Sequence, residues 1–122
     1  MSDENNGAPA LGASGQRLWD DLTFRFSLDE GETALLVQAC RTVDSLDTLE
    51  AAVAADGVVI ETPQGQRAHP ALVEARQQRI TLARLVSALR VPDDGAEDDG
   101  EGARRPQRRT GVRQPYRLQV QQ

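Results

Sequence analysis

Two side chains with nucleophilic or proton-transfer chemistry occur once each in this chain of 122 residues: Cys40 and His69. One thiol cannot form an intrachain disulfide, and a cysteine-based metal site needs more than one. Val37, Ala39 and Val43 flank Cys40, so it reads as a small core hydrophobe rather than a nucleophile. His69 stands directly before Pro70 and reads as the residue that starts a helix. A lone histidine builds neither a zinc site nor a Ser-His-Asp triad. The aspartates and glutamates show no spacing that suggests a metal or acid–base pair, and no Gly-x-x-x-x-Gly-Lys-Ser phosphate-binding loop is present. This inventory disfavours a hydrolase or any other enzyme, and no cofactor is expected.

Charge is the second chemical resource. Every one of the 14 basic residues is arginine, set against 19 acidic residues for a net charge of -5. An acidic sum argues against indiscriminate nucleic-acid binding, but the distribution is uneven. Asp93, Asp94, Glu97, Asp98, Asp99 and Glu101 form a block with no base, and Arg104, Arg105, Arg108, Arg109, Arg113 and Arg117 follow as a block with no acid. Acidic-then-basic blocks belong to a tail rather than a core. Tyr116, Leu118 and Val120 alternate within that tail, the pattern of a strand or docking motif that forms on a partner.

The elements that must position these groups lie between Leu18 and Val91, where the large apolar residues are concentrated. The length allows one small domain. Residues 1–13 are expected to be a disordered N-terminus, 14–92 a helical oligomerisation domain, and 93–122 a disordered acidic-then-basic tail. Ser14 is placed to cap a first helix over Gly15 to Phe26, with Leu18, Trp19, Leu22 and Phe26 as its apolar stripe. Asp29 and Glu32 have the form of a capping box, behind which Leu35, Ala39, Leu46, Leu49 and Val53 carry a second helix to about Ala55. Gly57 suits the left-handed residue that ends a helix. Val58, Val59 and Ile60, with the turn Pro63-Gln64-Gly65-Gln66, predict a short β-hairpin-like connection over Val58 to His69. Pro70 then opens a third helix that ends before Pro92.

The fold class that follows is mainly α: a hairpin of two long antiparallel helices with a short N-terminal helix and a small β-hairpin-like link. In the third helix Leu72, Ala75, Arg79, Leu82, Val86 and Leu89 step close to a coiled-coil seam, while Val73, Ile80 and Leu85 lie off it. One intrachain partner covers one side only, so Leu72, Ile80, Leu82, Leu85, Val86 and Leu89 are the expected oligomerisation residues of a homo-oligomer. Asp44, Asp47 and Glu50 could meet Arg76, Arg79 and Arg84 across the hairpin as surface ion pairs worth less than about 1 kcal/mol each. The other reading places these arginines on an inter-subunit surface that meets phosphates. No apolar run spans a bilayer and no signal peptide opens the chain, so a soluble, intracellular protein with no membrane partner is expected.

Several segments have a familiar order. They are the Leu18-Trp19 to Phe26 helix, the Leu28-Asp29 helix start, the long second helix, the Gly57 to Gly65 connection, His69-Pro70-Ala71-Leu72, and Leu89-Arg90-Val91-Pro92. From about Leu18 to Asp93 they resemble the small terminase subunits of tailed bacteriophages. The resemblance implies ring-like homo-oligomers that bind viral double-stranded DNA at the packaging start. It also implies that they present this DNA to the large terminase subunit, an ATPase and nuclease, in the host cytoplasm. It implies no catalysis by the chain itself.

Two departures bear on where DNA would bind. Many relatives have a basic, proline-rich segment before the first helix, whereas this chain begins Ser2-Asp3-Glu4-Asn5-Asn6. Asp93-Asp94 follows the last helix where many relatives have serine and arginine. The expected DNA contacts therefore move to Arg104, Arg105, Arg108, Arg109 and Arg113, whose guanidinium groups suit salt-sensitive, largely sequence-independent phosphate binding. The alternatives are a solubilising tail, or a non-catalytic helical phage assembly scaffold that docks a protein partner through its tail without binding DNA.

Overall fold

The computed structural model describes residues 9–91 and 106–109. Among them are helices α1 (Ala13–Arg25), α2 (Glu30–Asp56) and α3 (Pro70–Leu89), and strands β1 (Phe26–Ser27), β2 (Val59–Thr62), β3 (Gly65–Ala68) and β4 (Gln107–Arg108). The strands form two antiparallel pairs, β1 with β4 and β2 with β3. The described chain is thus mainly helical, as the apolar periodicity predicts.

Local chemistry sets both ends of α2. Asp29 Oδ1 accepts the Glu32 amide and Glu32 Oε1 accepts the Asp29 amide, each at 2.8 Å. The box satisfies two amides that a helix start leaves open, and Glu30 and Glu32 lie at the positive end of the helix dipole. The helix runs 27 residues, about 40 Å. It stops at Gly57, whose φ of 90° would strain any residue with a side chain.

The link to α3 buries almost nothing. All four residues of β3 are exposed, so the ladder from Val59↔Ala68 to Thr62↔Gly65 holds it. Within the turn, Thr62 Oγ1 donates to the Gly65 carbonyl at 2.7 Å and accepts the Gln64 amide at 3.1 Å. His69 then starts α3: its Nδ1 accepts the Ala71 amide at 3.0 Å, and its Nε2 lies 2.9 Å from Asp56 Oδ2. One imidazole thereby caps α3 and ties it to the last residue of α2. Pro70 follows at the first helical position, where its missing N–H costs no intrahelical bond.

The core lies at the opposite end of the hairpin. Leu22, Phe26, Leu36, Cys40 and Leu89 are buried together, with Leu11, Leu18, Trp19, Leu28, Leu35 and Val91 packed against them. Each such large apolar side chain contributes about 1.5–3 kcal/mol relative to exposure. Residues from all three helices meet here, and α1 lies antiparallel along the N-terminal half of α2.

The start of α1 differs from expectation. Ser14 does not cap the helix, which begins at Ala13, two residues earlier than expected, behind Gly12. The cap comes from another helix: Asp44 on α2 accepts the Gly12 amide through Oδ2 at 2.7 Å and the Gly15 amide through Oδ1 at 2.8 Å. Ser14 instead donates its hydroxyl to Asp47 Oδ2. Gly15 makes this possible, since a Cβ there would stand 2.4 Å from Asp44 Oδ2 and 2.7 Å from the Cys40 carbonyl oxygen. The anchoring also reaches into the expected disordered N-terminus, because Leu11 packs against the core.

Candidate functional site

Two surfaces hold the residues singled out for function. The first is the outer face of α3. Val73 and Ile80, two turns apart on this face, are 48% and 44% exposed, and Val86, 42% exposed, lies about a third of a turn round the helix from them. Positions 80, 83, 84, 87 and 88 follow a helix's three- and four-residue rhythm and share one face. Ile80, Ala83, Arg84, Ser87, Ala88 and Arg90 line an open groove of about 570 Å³ along it. Among the described residues neither Arg76 nor Arg84 has an ion-pair partner, so the apolar stripe carries cations along its length.

The other expected oligomerisation residues divide. Leu72, Leu82 and Leu85 are half-buried. Leu89, however, is 1% exposed and belongs to the core with Leu36 and Phe26. Packing within one chain already consumes it, so it has no surface to give a second copy. The helical period could not separate it from Val86, because α1 covers only the end of α3 where Leu89 lies.

The expected ion pairs between α2 and α3 also divide. Glu50 Oε2 and Arg79 Nη2 are 3.0 Å apart, with both side chains about half exposed, a pair worth little. Asp44 and Asp47 turn to the start of α1 instead. Open amides at a helix start attract a carboxylate more strongly than a solvated guanidinium does.

The second surface is the piece of the arginine segment that the structure describes. Arg104, Arg105 and Arg113 lie outside the described residues. Arg108 and Arg109 lie within them, held against β1 rather than projecting from a loose tail. The register pairs Phe26 with Arg108 and Ser27 with Gln107. The Arg109 amide donates to the Arg25 carbonyl at 2.7 Å, and its Nε donates to the Phe26 carbonyl at 3.0 Å. Sequence reasoning missed this pairing. Phe26 reads as the last residue of the first helix, and two extended residues are too few for an alternation pattern.

Neither Cys40 nor His69 lines the groove on α3. Cys40 is buried, and burial, with smaller contributions from Asp44 and then Asp20, pushes its thiol from 9.0 up to about 11. A thiol held protonated this way is a poor nucleophile at neutral pH. His69 spends both ring nitrogens on the α2–α3 junction. Among the described residues no cluster of three or more His, Cys, Asp or Glu side chains could hold a metal ion, and no helix is long and apolar enough to cross a membrane.

Comparison of the chain with protein-family models, with curated proteins and with solved structures finds no match.

Proposed function

We propose that this chain is a non-catalytic adaptor of the small terminase subunit kind. In this reading it assembles as a ring-like homo-oligomer in the host cytoplasm, binds viral double-stranded DNA, and presents it to a large subunit that carries the ATPase and nuclease. The observation that carries the reading is the unpartnered stripe on α3. Val73 and Ile80, two turns apart on one face, stay in solvent although the same helix packs its other side against α2, and such a stripe is best covered by a second copy. The resemblance over Leu18 to Asp93 and the arginines at 104–117 add support, the latter because guanidinium groups suit phosphate contacts.

The test joins a mass measurement to a DNA-shift assay on the full chain. The reading expects a multimer at micromolar concentration that retards duplex DNA at low salt and releases it as salt rises. A strict monomer that leaves DNA unshifted would sink it.

A second reading is favoured by one feature, the strand formed by Gln107–Arg108 against Phe26–Ser27. A tail segment that adds to a protein edge suits a helical phage assembly scaffold, docking a protein partner without touching DNA. That reading expects a multimer with no DNA retention at any salt concentration.

A further inference from the structure

Antiparallel strands alternate between hydrogen-bonded rungs and rungs where side chains come closest. The Arg109 amide bonds the Arg25 carbonyl, so Arg25–Arg109 and Ser27–Gln107 are the bonded rungs and Phe26–Arg108 lies between them. That middle rung lays the Arg108 guanidinium over the Phe26 ring, 5.5 Å from its centroid, while Arg25 covers the ring at 5.1 Å. Pro106 is buried, and Phe26 is fully buried within the core. The segment therefore lies across the core's end and commits its own arginines there. Arg109 gives its backbone amide and Nε–H, and Arg108 gives one face of its guanidinium.

We propose that Pro106–Arg109 is a strap whose docking on Phe26–Ser27 competes with phosphate-bearing polyanions for Arg108 and Arg109. The choice of ligand rests on the DNA-binding reading; the docking does not. A guanidinium grips phosphate through paired N–H groups along one edge, and the Phe26 carbonyl occupies the Nε edge of Arg109. The surroundings are acidic as well: Asp21 pairs with Arg25 at 3.0 Å, and Asp29 and Glu30 closely follow Ser27 in sequence. A phosphate approaching the docked strap meets these carboxylates, whereas an undocked strap leaves them behind. The contact is also small enough to be reversible. A few net hydrogen bonds, one ring contact and the buried Pro106 outweigh the entropy of ordering four residues by a margin that a polyanion binding both arginines can overcome.

The full-length chain tests this by NMR and by affinity. Without ligand, the Arg109 amide should exchange slowly and its Nε–H should give a distinct, protected signal. Short duplex DNA, or inorganic polyphosphate in a parallel titration, should collapse both signals to those of a free peptide. Gln107→Pro deletes a bonded rung while keeping every charge, and should bind either polyanion several-fold more tightly. Equal affinity for parent and variant would overturn the strap, as would an Arg109 amide that exchanges freely at the outset or stays protected at saturation. Displacement by polyphosphate but not by DNA would remove the DNA-packaging reading and leave the strap standing.

Discussion

The two ends of the helical hairpin are closed by different means. At one end α1 lies along α2, and the space between the helices is filled by Phe26, Leu36, Cys40 and Leu89, all essentially without solvent contact. At the other end the β2–β3 link is almost wholly exposed, and Val58 and Val59 remain about half in solvent. There the chain is held by hydrogen bonds: the strand ladder, the Thr62 turn and the His69 bridge between helices. One end depends on excluded water and the other on satisfied polar groups. The comparison teaches where a second copy or partner has something to gain. Apolar surface left along α3 adds binding energy when covered, whereas a polar turn offers little.

Substitutions should separate the two ends, and the largest effect belongs to the packed one. Leu36→Ala leaves a cavity among all three helices and should cost about 2–5 kcal/mol, read as a lower urea midpoint. A loss under about 1 kcal/mol would mean that this end is not the stabilising one. Gly15→Ala should follow at about 1–3 kcal/mol, because its new Cβ forces Asp44 and the Cys40 carbonyl away from α1. Wild-type stability for that variant would show that α1 can lift from α2 freely. At the polar end, His69→Ala removes a cap and the Asp56 contact for about 1 kcal/mol, with hydrogen exchange rising first in the β2–β3 link. Ile80→Gln should change monomer stability by less than about 0.5 kcal/mol yet weaken self-association. An unchanged multimer would move the interface off this face.

What the sequence made legible was local. The Asp29–Glu32 box, the Gly57 stop and the His69-Pro70 start each need only neighbouring residues, and each stands where the sequence places it; the turn is tighter than Pro63–Gln66, since Gly65 and Gln66 already pair with Thr62 and Glu61 in the β2–β3 ladder. What it concealed was tertiary. The cap on α1 comes from Asp44, 29 residues beyond Gly15, and no local rule connects the two. Gly12 and Gly15, one helical turn apart, were the available signal, since paired small residues mark a close approach of backbones. The reach of Arg109 back to Phe26 spans 83 residues and left no trace in any periodicity. Leu89 shows the same limit on the surface question: a helical stripe says which residues share a face, not whether the chain's own elements already cover it.

The burial of Cys40 has a practical side. The chain's one thiol is sealed in the core and kept protonated, so at neutral pH it should ignore maleimide dyes and spin labels. A cysteine introduced at an exposed site such as Gln77 would then be the single reactive position. Measuring distances between copies would require no prior removal of the native thiol. The molecule comes ready for a direct test of whether its copies associate.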